Sequence, residues 1–154
     1  MFVNNKMKNN NSSSIISLVK LDTVHLYLDN KKNILYFDVL SSRYSKQNTI
    51  TVLEYFKNFW LLAKEEQSKY YLIVKIDSIG VYPLSFYSNL VECLKNLNDT
   101  FKKYLHSCAF LCNGNSPLII LKPLFSLYSF ARPFVICKTY EEVLINFDKP
   151  ENKL

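Results

Sequence analysis

The sequence YYLIVKI (Tyr70–Ile76), together with CAFLC (Cys108–Cys112) and PFVIC (Pro133–Cys137), decides the fold. Each run is a nearly continuous series of β-branched, aromatic and other apolar residues, and a stretch with helical periodicity separates it from the next. Strands whose sheet is covered by helices are typically continuous apolar runs, because both of their faces are buried. The pattern therefore predicts a sheet of mostly parallel strands in an α/β domain.

The part of the chain before Tyr70 predicts a β-hairpin. Leu18–Leu28 interleaves apolar and polar residues, and Ile34–Leu40 is a second apolar stretch. The connection between them, Asp29–Asn33, reads DNKKN, and short polar connections of this composition are typical of hairpins. Residues 1–17 are rich in Asn and Ser and are predicted to form a disordered tail, because they offer little surface to bury.

Two long helices are predicted between the strands. Apolar residues recur every three or four positions in Thr49–Ser68 and in Leu90–Leu105, as they do in a helix with one buried face. Asn48 or Thr49 is expected to cap the first of these helices, because both side chains can accept a hydrogen bond from a free N–H of the first turn.

Two shorter helices are predicted from their end signals. Pro117 is expected at the first position of the third helix, where its missing N–H costs nothing, and Pro123 is expected to kink or end that helix. Thr139 and Glu142 stand in the sequence T-Y-E-E, which is a capping box for a last helix that runs to about Phe147.

These elements predict one α/β domain over residues 18–148. Its mixed, mostly parallel sheet has about five strands covered by helices, in the order ββαβαβαβα. Residues 149–154 are expected to be a frayed tail. A chain of 154 residues suits a single domain, because it can bury about two thirds of the surface that its unfolded form exposes.

The composition argues against nucleic acid as a partner. The net charge is +6, but the lysines are scattered and no run of five basic residues occurs, which is typical of a solvated surface. The aromatic residues fall mostly at core positions rather than in a pattern that would stack bases. With only two glycines, the chain also lacks a glycine-rich loop of the kind that cradles phosphates.

The sequence predicts a cytoplasmic protein with no membrane span. No apolar run approaches the roughly 18 residues that a span requires. The amino-terminal residues lack the apolar core of a signal peptide. The four cysteines are expected to be buried free thiols in a reducing compartment; they are Cys93, Cys108, Cys112 and Cys137.

No catalytic, metal or cofactor site is expected. His106, Cys108 and Cys112 give the pattern H-x-C-x3-C, but a zinc site needs about four converging ligands and no second cysteine pair is present. His25 and His106 are the only histidines, which leaves little material for a nucleophile with its base. We therefore expect that the protein is not an enzyme and holds no cofactor.

The order of elements resembles that of the STAS domain, the SpoIIAA-like fold of anti-sigma factor antagonists. The closing stretch RPFVICKTYEEVLINF (Arg132–Phe147) is the most similar part, since a strand leads through a Thr cap and an acidic first turn into a short helix. The central stretch IVKIDSIGVYPLSFYSNLVECLKNL (Ile73–Leu97) is similar in layout. The resemblance covers about Val19 to Phe147 and implies a regulatory domain that binds a protein partner.

The resemblance also indicates a candidate partner or phosphorylation loop. Members of the bacterial switch branch carry D-L-S, a valine and then D-S-S-G, whose serine a partner kinase phosphorylates. Here Asp77 and Val81 match the first part, and LSFYSN stands in place of the second. The loop also lies where α/β sheets usually place their sites, beyond the carboxyl end of a strand. The candidate residues are Asp77, Ser78, Ser85, Ser88 and Asn89.

Two functions are expected from these observations. The first is a non-enzymatic, STAS-like regulatory module that binds a protein partner of unknown identity through this loop and the Leu90–Leu105 helix. The second is a module that binds a small apolar ligand or a lipid, as in the related CRAL-TRIO topology. It is suggested by Tyr55 and Leu61, which extend the apolar stripe of Thr49–Ser68 beyond what one buried face needs.

Overall fold

The computed structural model describes residues 14–77, 80, 82–112 and 117–149. Within these ranges the chain forms six strands and five helices. The strands are β1 (Ile15–Lys20), β2 (Val24–Asp29), β3 (Ile34–Val39), β4 (Tyr70–Ile76), β5 (Leu105–Cys112) and β6 (Phe134–Cys137). The helices are α1 (Lys46–Glu65), α2 (Leu84–Asn96), α3 (Asn98–Tyr104), α4 (Pro117–Leu127) and α5 (Tyr140–Phe147).

The strands form one mixed sheet in the order β1-β2-β3-β4-β5-β6. The first three strands are antiparallel, and β3 to β6 are parallel. The crossovers between parallel strands all step in one direction, and right-handed crossovers of that kind place their helices on the same side. Accordingly, α1 to α4 pack on one face, here called the helix-covered face, and α5 packs on the other, the α5 face. The predicted single α/β domain with a mixed sheet is confirmed.

Among the described residues, the chain before α1 forms three strands where two were predicted, so the described sheet has six strands rather than about five. The segment Leu18–Leu28 is divided by a turn, in which the N–H of Leu21 donates to the carbonyl of Val24 at 2.8 Å. β1 begins at Ile15, inside the range assigned to the tail, and pairs Ile15 with Asp29. Backbone pairing holds this edge strand although Ile15 is exposed, so the hydrophobic pattern carried little signal for it.

The prediction that Asn48 or Thr49 caps the first helix is wrong. α1 begins at Lys46 because Ser45 is its cap: the Ser45 hydroxyl oxygen accepts a hydrogen bond from the N–H of Asn48 at 3.2 Å. Thr49 lies within the first turns of the helix, where its hydroxyl donates to the carbonyl of Ser45. Pro123 lies inside α4 without ending it.

The predicted helix Leu90–Leu105 is two helices. α2 begins earlier than predicted, at Leu84, and the chain leaves helical geometry at Leu97, where α3 takes over. Leu97 is buried, so the break keeps an apolar side chain in the core. Leu105 already belongs to β5, which extends the predicted strand towards its amino end.

The predicted cap of α5 is present. The hydroxyl oxygen of Thr139 accepts a hydrogen bond from the N–H of Glu142 at 3.2 Å. The carboxylate of Glu142 returns to the chain one residue earlier than a capping box requires, because it accepts from the N–H of Lys138 at 2.9 Å. These two bonds stabilise the first turn of α5, the helix that packs on the α5 face.

Aromatic side chains dominate the core on the helix-covered face. Phe56, Phe59 and Trp60 of α1 are buried, and the Trp60 ring meets Phe101 of α3 edge to face at 5.1 Å between centroids. Such pairs add about 0.5–1.5 kcal/mol to the effect of burial alone. α1 is therefore packed deeply against the sheet, as its stripe of apolar residues predicts.

Candidate functional site

A cavity of about 130 Å³ lies between the helix-covered face and the helices α1, α2 and α4. Its walls are almost entirely apolar: Phe37, Val74 and Phe110 come from the sheet, and Phe56 and Leu94 come from α1 and α2. Some of the rings in its wall meet edge to face; Phe37 and Phe56, for example, lie at 82° with centroids 5.8 Å apart.

The period of the strands accounts for this apolar lining. Side chains alternate between faces along a strand, so Leu72, Val74 and Ile76 of β4 all point to the helix-covered face. β5 contributes Cys108 and Phe110 in the same way. Neighbouring strands in register thus carry apolar groups into one space, and the helices cover it.

The rim of the cavity is polar at one end. Ser41, Arg43 and Ser45 line it in the segment that joins β3 to α1, and Thr49 lines it in the first turns of α1. The N–H of Arg43 donates to the hydroxyl oxygen of Ser41 at 3.2 Å, which holds the backbone of this segment in a turn. The polar end therefore lies beyond the carboxyl end of β3, where α/β sheets usually place their sites.

The segment after β4 closes the rim from the other side. The hydroxyl of Tyr82 donates to the carbonyl of Ser41 at 3.3 Å, and the rings of Tyr44 and Phe86 meet edge to face. Gly80 lies so close to the backbone of Ser42 that a Cβ there would clash with its carbonyl oxygen, so this approach requires glycine. The loops after β3 and β4 are thereby joined into one rim.

The described residues of the predicted loop lie in different elements of the structure. Ser85, Ser88 and Asn89 lie in α2, while Asp77 directly follows β4 and forms an ion pair with Lys75 at 3.6 Å. Ser85 is not the cap of α2, because Pro83 occupies that position, and the Ser88 hydroxyl donates to the carbonyl of Leu84 at 3.1 Å.

The residues of the predicted loop do not form a cluster in the described part of the chain. Ser85 and Ser88 are exposed on the surface of α2. Ser78 and Val81 lie outside the described residues. None of the described members of the set lines the cavity, although the neighbouring residues Phe86, Tyr87 and Leu90 do.

The cysteines are free thiols. Burial raises the pKa of Cys108 to about 12 and that of Cys93 to about 11, so both are neutral near pH 7. A neutral thiol is a poor nucleophile and a poor metal ligand. Among the residues that the structure describes, no group of three or more His, Cys, Asp or Glu side chains could hold a metal ion.

A row of polar aromatic side chains on the α5 face was not predicted. The rings of Tyr27 and Tyr36 stack at 4.7 Å between centroids, and the Tyr36 and Tyr140 hydroxyls lie 2.7 Å apart in a hydrogen bond. The hydroxyl of Tyr27 donates to Asp38 at 3.2 Å. A signal was present in the sequence, since Tyr27, Tyr36 and Asp38 occupy alternate positions of the predicted hairpin.

Asp38, which accepts the hydrogen bond from Tyr27, is a buried ionisable group beside this row. Its side chain is buried, and one carboxylate oxygen has no hydrogen-bond partner. Burial raises the pKa of Asp38 above its ordinary value, and the charge of Lys75 opposes that shift. Burial and the hydrogen bond with Tyr140 likewise raise the pKa of Tyr36, so this hydroxyl stays protonated.

Helices long and apolar enough to cross a membrane do not occur in the part of the chain that the structure describes. A comparison of the sequence with models of known protein families, and with curated proteins, found no match to either.

Proposed function

We propose that this chain is a small, non-enzymatic module that binds an apolar ligand in the cavity of the helix-covered face. The observation that carries the proposal is the cavity itself, which is about 130 Å³ in volume and almost entirely lined by apolar side chains. An engineered cavity of similar size, about 150 Å³ and lined by Leu, Ile and Phe, stays dry and binds benzene. The cavity described here is therefore suited to a small apolar molecule.

The chemistry of the lining supports binding rather than catalysis. Cys108 and Tyr87 line the cavity, and burial raises the pKa of both, so neither is charged near pH 7. General acid–base chemistry needs a group whose pKa lies near the working pH. The lining offers hydrophobic contact to a ligand but no such group among its buried members.

A titration of the ¹⁵N-labelled protein with 1-octanol tests the proposal. We expect saturable chemical-shift changes at lining residues such as Phe56 and Leu94. The variant Val74→Phe places a ring in the cavity and is expected to abolish them, while Val135→Phe, on the α5 face, is the matched control. Thermal unfolding of each variant shows whether it is folded. Shifts that never saturate, or that persist in the folded Val74→Phe variant, would contradict the proposal.

A second candidate function is the STAS-like module that binds a protein partner. It is supported by the first turns of α2, where Leu84 is 74% exposed beside the exposed hydroxyls of Ser85 and Ser88. A pull-down with the wild type and with Leu84→Ser tests it; Leu127→Ser, at an exposed site of α4, is the control. A partner captured equally by all three baits would exclude this surface.

A further inference from the structure

We propose, on the basis of the proposed function, that the ligand is an amphiphile with an anionic head. Its alkyl chain occupies the apolar cavity, and its carboxylate lies at the polar rim, on the guanidinium of Arg43.

The polar groups of the lining are concentrated at one end of the cavity. Ser41, Arg43, Ser45 and Thr49 all belong to the β3–α1 segment or the first turns of α1. The opposite walls are apolar and include Leu94, Phe110, Leu121, Leu124 and Phe130. A ligand that satisfies both regions needs an apolar chain and a polar head, so an entirely apolar molecule would leave the rim groups to water.

The charges at the rim favour a negative head. Arg43 is exposed and lines the cavity, and no carboxylate of the described residues lies within ion-pair distance of its guanidinium. The first turn of α1 has no acidic residue and carries the cation Lys46. The positive end of the helix dipole adds to this field over the first turn.

Asp22, an acidic residue next to the rim, is already engaged. Asp22 precedes the lining residue Thr23, and its carboxylate accepts a hydrogen bond from the Asn48 side chain at 2.6 Å. That bond draws Asp22 to the side of α1, and the same Asn48 amide also donates to the Thr23 hydroxyl at 2.9 Å. Arg43 thus remains available to a ligand, and its planar fork of N–H donors suits a carboxylate.

Paired titrations with sodium octanoate and 1-octanol test the inference, because the two probes share a chain and differ in the head. At pH 7.5 and low salt, we expect octanoate to bind more tightly than octanol. Arg43→Gln should weaken octanoate binding about threefold to tenfold more than it weakens octanol binding, since an exposed charged contact contributes modestly. Lys57→Gln, an exposed position of α1 that does not line the cavity, is the control for net charge and should change neither.

The outcomes separate this inference from the proposed function. If both probes bind equally, or if Arg43→Gln weakens both alike, the anionic head is excluded while the apolar cavity remains the binding site. If neither probe binds to the folded wild type, the proposed function itself fails. A loss of octanoate binding in Lys57→Gln equal to that in Arg43→Gln would show attraction by net charge and would also overturn the assignment of Arg43.

Discussion

The two faces of the sheet are built from the same strands but differ in chemistry. The helix-covered face is almost wholly apolar and includes Phe37 and Val74. On the α5 face, the next residues along the same strands are Asp38 and Lys75. Four helices pack on the first face and one on the second. A strand composed mostly of apolar residues can thus have one face that helices cover fully and one face that they cover only in part.

This difference indicates how the two faces should contribute to the stability of the fold. The helix-covered face is closed by aromatic side chains that leave a cavity, so its shape depends on a few large rings. The α5 face has a small core in which Ile73, Ala109 and Val143 have no exposed surface, next to a row of hydrogen-bonded polar groups. Substitutions on the two faces should therefore differ in size and in their dependence on pH.

The largest effect is expected from Phe56→Ala on the helix-covered face. Phe56 is 3% exposed and contacts the rings of Phe37, Trp60 and Phe101. Truncation enlarges the existing cavity and should lower the free energy of unfolding by about 3–5 kcal/mol, measured by urea denaturation. The adjacent Tyr55→Ala, which removes a partly exposed ring, should have a much smaller effect. Equal losses in the two variants would refute the packing of α1 described above.

A smaller loss is expected from Val143→Ala on the α5 face. Val143 has no exposed surface and packs with Ile73 and Ala109. Removing two methyl groups there should cost about 2 kcal/mol of unfolding free energy. Ile145→Ala, on the same helix but 64% exposed, is the matched control and should lie within about 0.5 kcal/mol of wild type. A larger loss of unfolding free energy in Ile145→Ala than in Val143→Ala would contradict this expectation.

The variant Asp38→Asn is expected to change how stability depends on pH. The pKa of the buried carboxyl is raised above the reference value of 3.8, so ionised Asp38 destabilises the folded state above its folded pKa, and this penalty disappears as the pH falls to 3.8. The charged or titratable groups around it are His25 and Tyr27 of β2, Lys75 of β4 and Asp77, which directly follows β4. Asp38→Asn should therefore stabilise the protein more at pH 7 than at pH 4.

Thermal unfolding at the two pH values measures this difference. The control is Asp99→Asn, which removes the same charge from a side chain that is 96% exposed. Its melting temperature relative to wild type should vary little with pH. A melting temperature for Asp38→Asn below that of wild type at pH 7 would show that the ionised carboxylate is stabilising, contrary to the direction of its pKa.

The smallest effect is expected from Tyr36→Phe, which removes one hydroxyl from the α5 face. The bond between the Tyr36 and Tyr140 hydroxyls is 2.7 Å long and partly buried. Its loss should cost about 0.5–1.5 kcal/mol of unfolding free energy. In a double-mutant cycle, Tyr140→Phe should add little further loss once Tyr36 has been changed. Strictly additive losses would mean that the two hydroxyls do not act as a pair.

The strand signals were read correctly where tertiary burial is complete. YYLIVKI and CAFLC are strands of the sheet, because most of their apolar side chains are buried between the sheet and the helices. The prediction divided β1 between the disordered tail and the first strand. Its first residue, Ile15, is paired through the backbone at the edge of the sheet and stays exposed, so no buried apolar pattern marks where the strand begins. The division of α2 from α3 at Leu97 was also missed, since an apolar period of three and four continues through the break.

Less of the candidate site than of the fold could be predicted from the sequence. The functional role of the loop after β4 stays a prediction. Tyr82 and Phe86 of that region line the cavity, whereas Ser85 and Ser88 do not and Ser78 lies outside the described residues. Arg43 carried no local signal, since a lone cation in a polar connection is typical of any surface. Its place at the cavity depends on contacts with distant residues such as Tyr82.

The sequence by itself determined the α/β class, the identity of the buried strands and the cap of α5. Those features depend on the period of apolar residues and on hydrogen bonds between near neighbours along the chain. Only the tertiary structure decided that a cavity exists, that Arg43 stands at its rim and that Asp38 is buried beside Tyr27. The reason is physical: a void and a charged environment are made by side chains that are far apart in sequence, and no local pattern records how closely they meet.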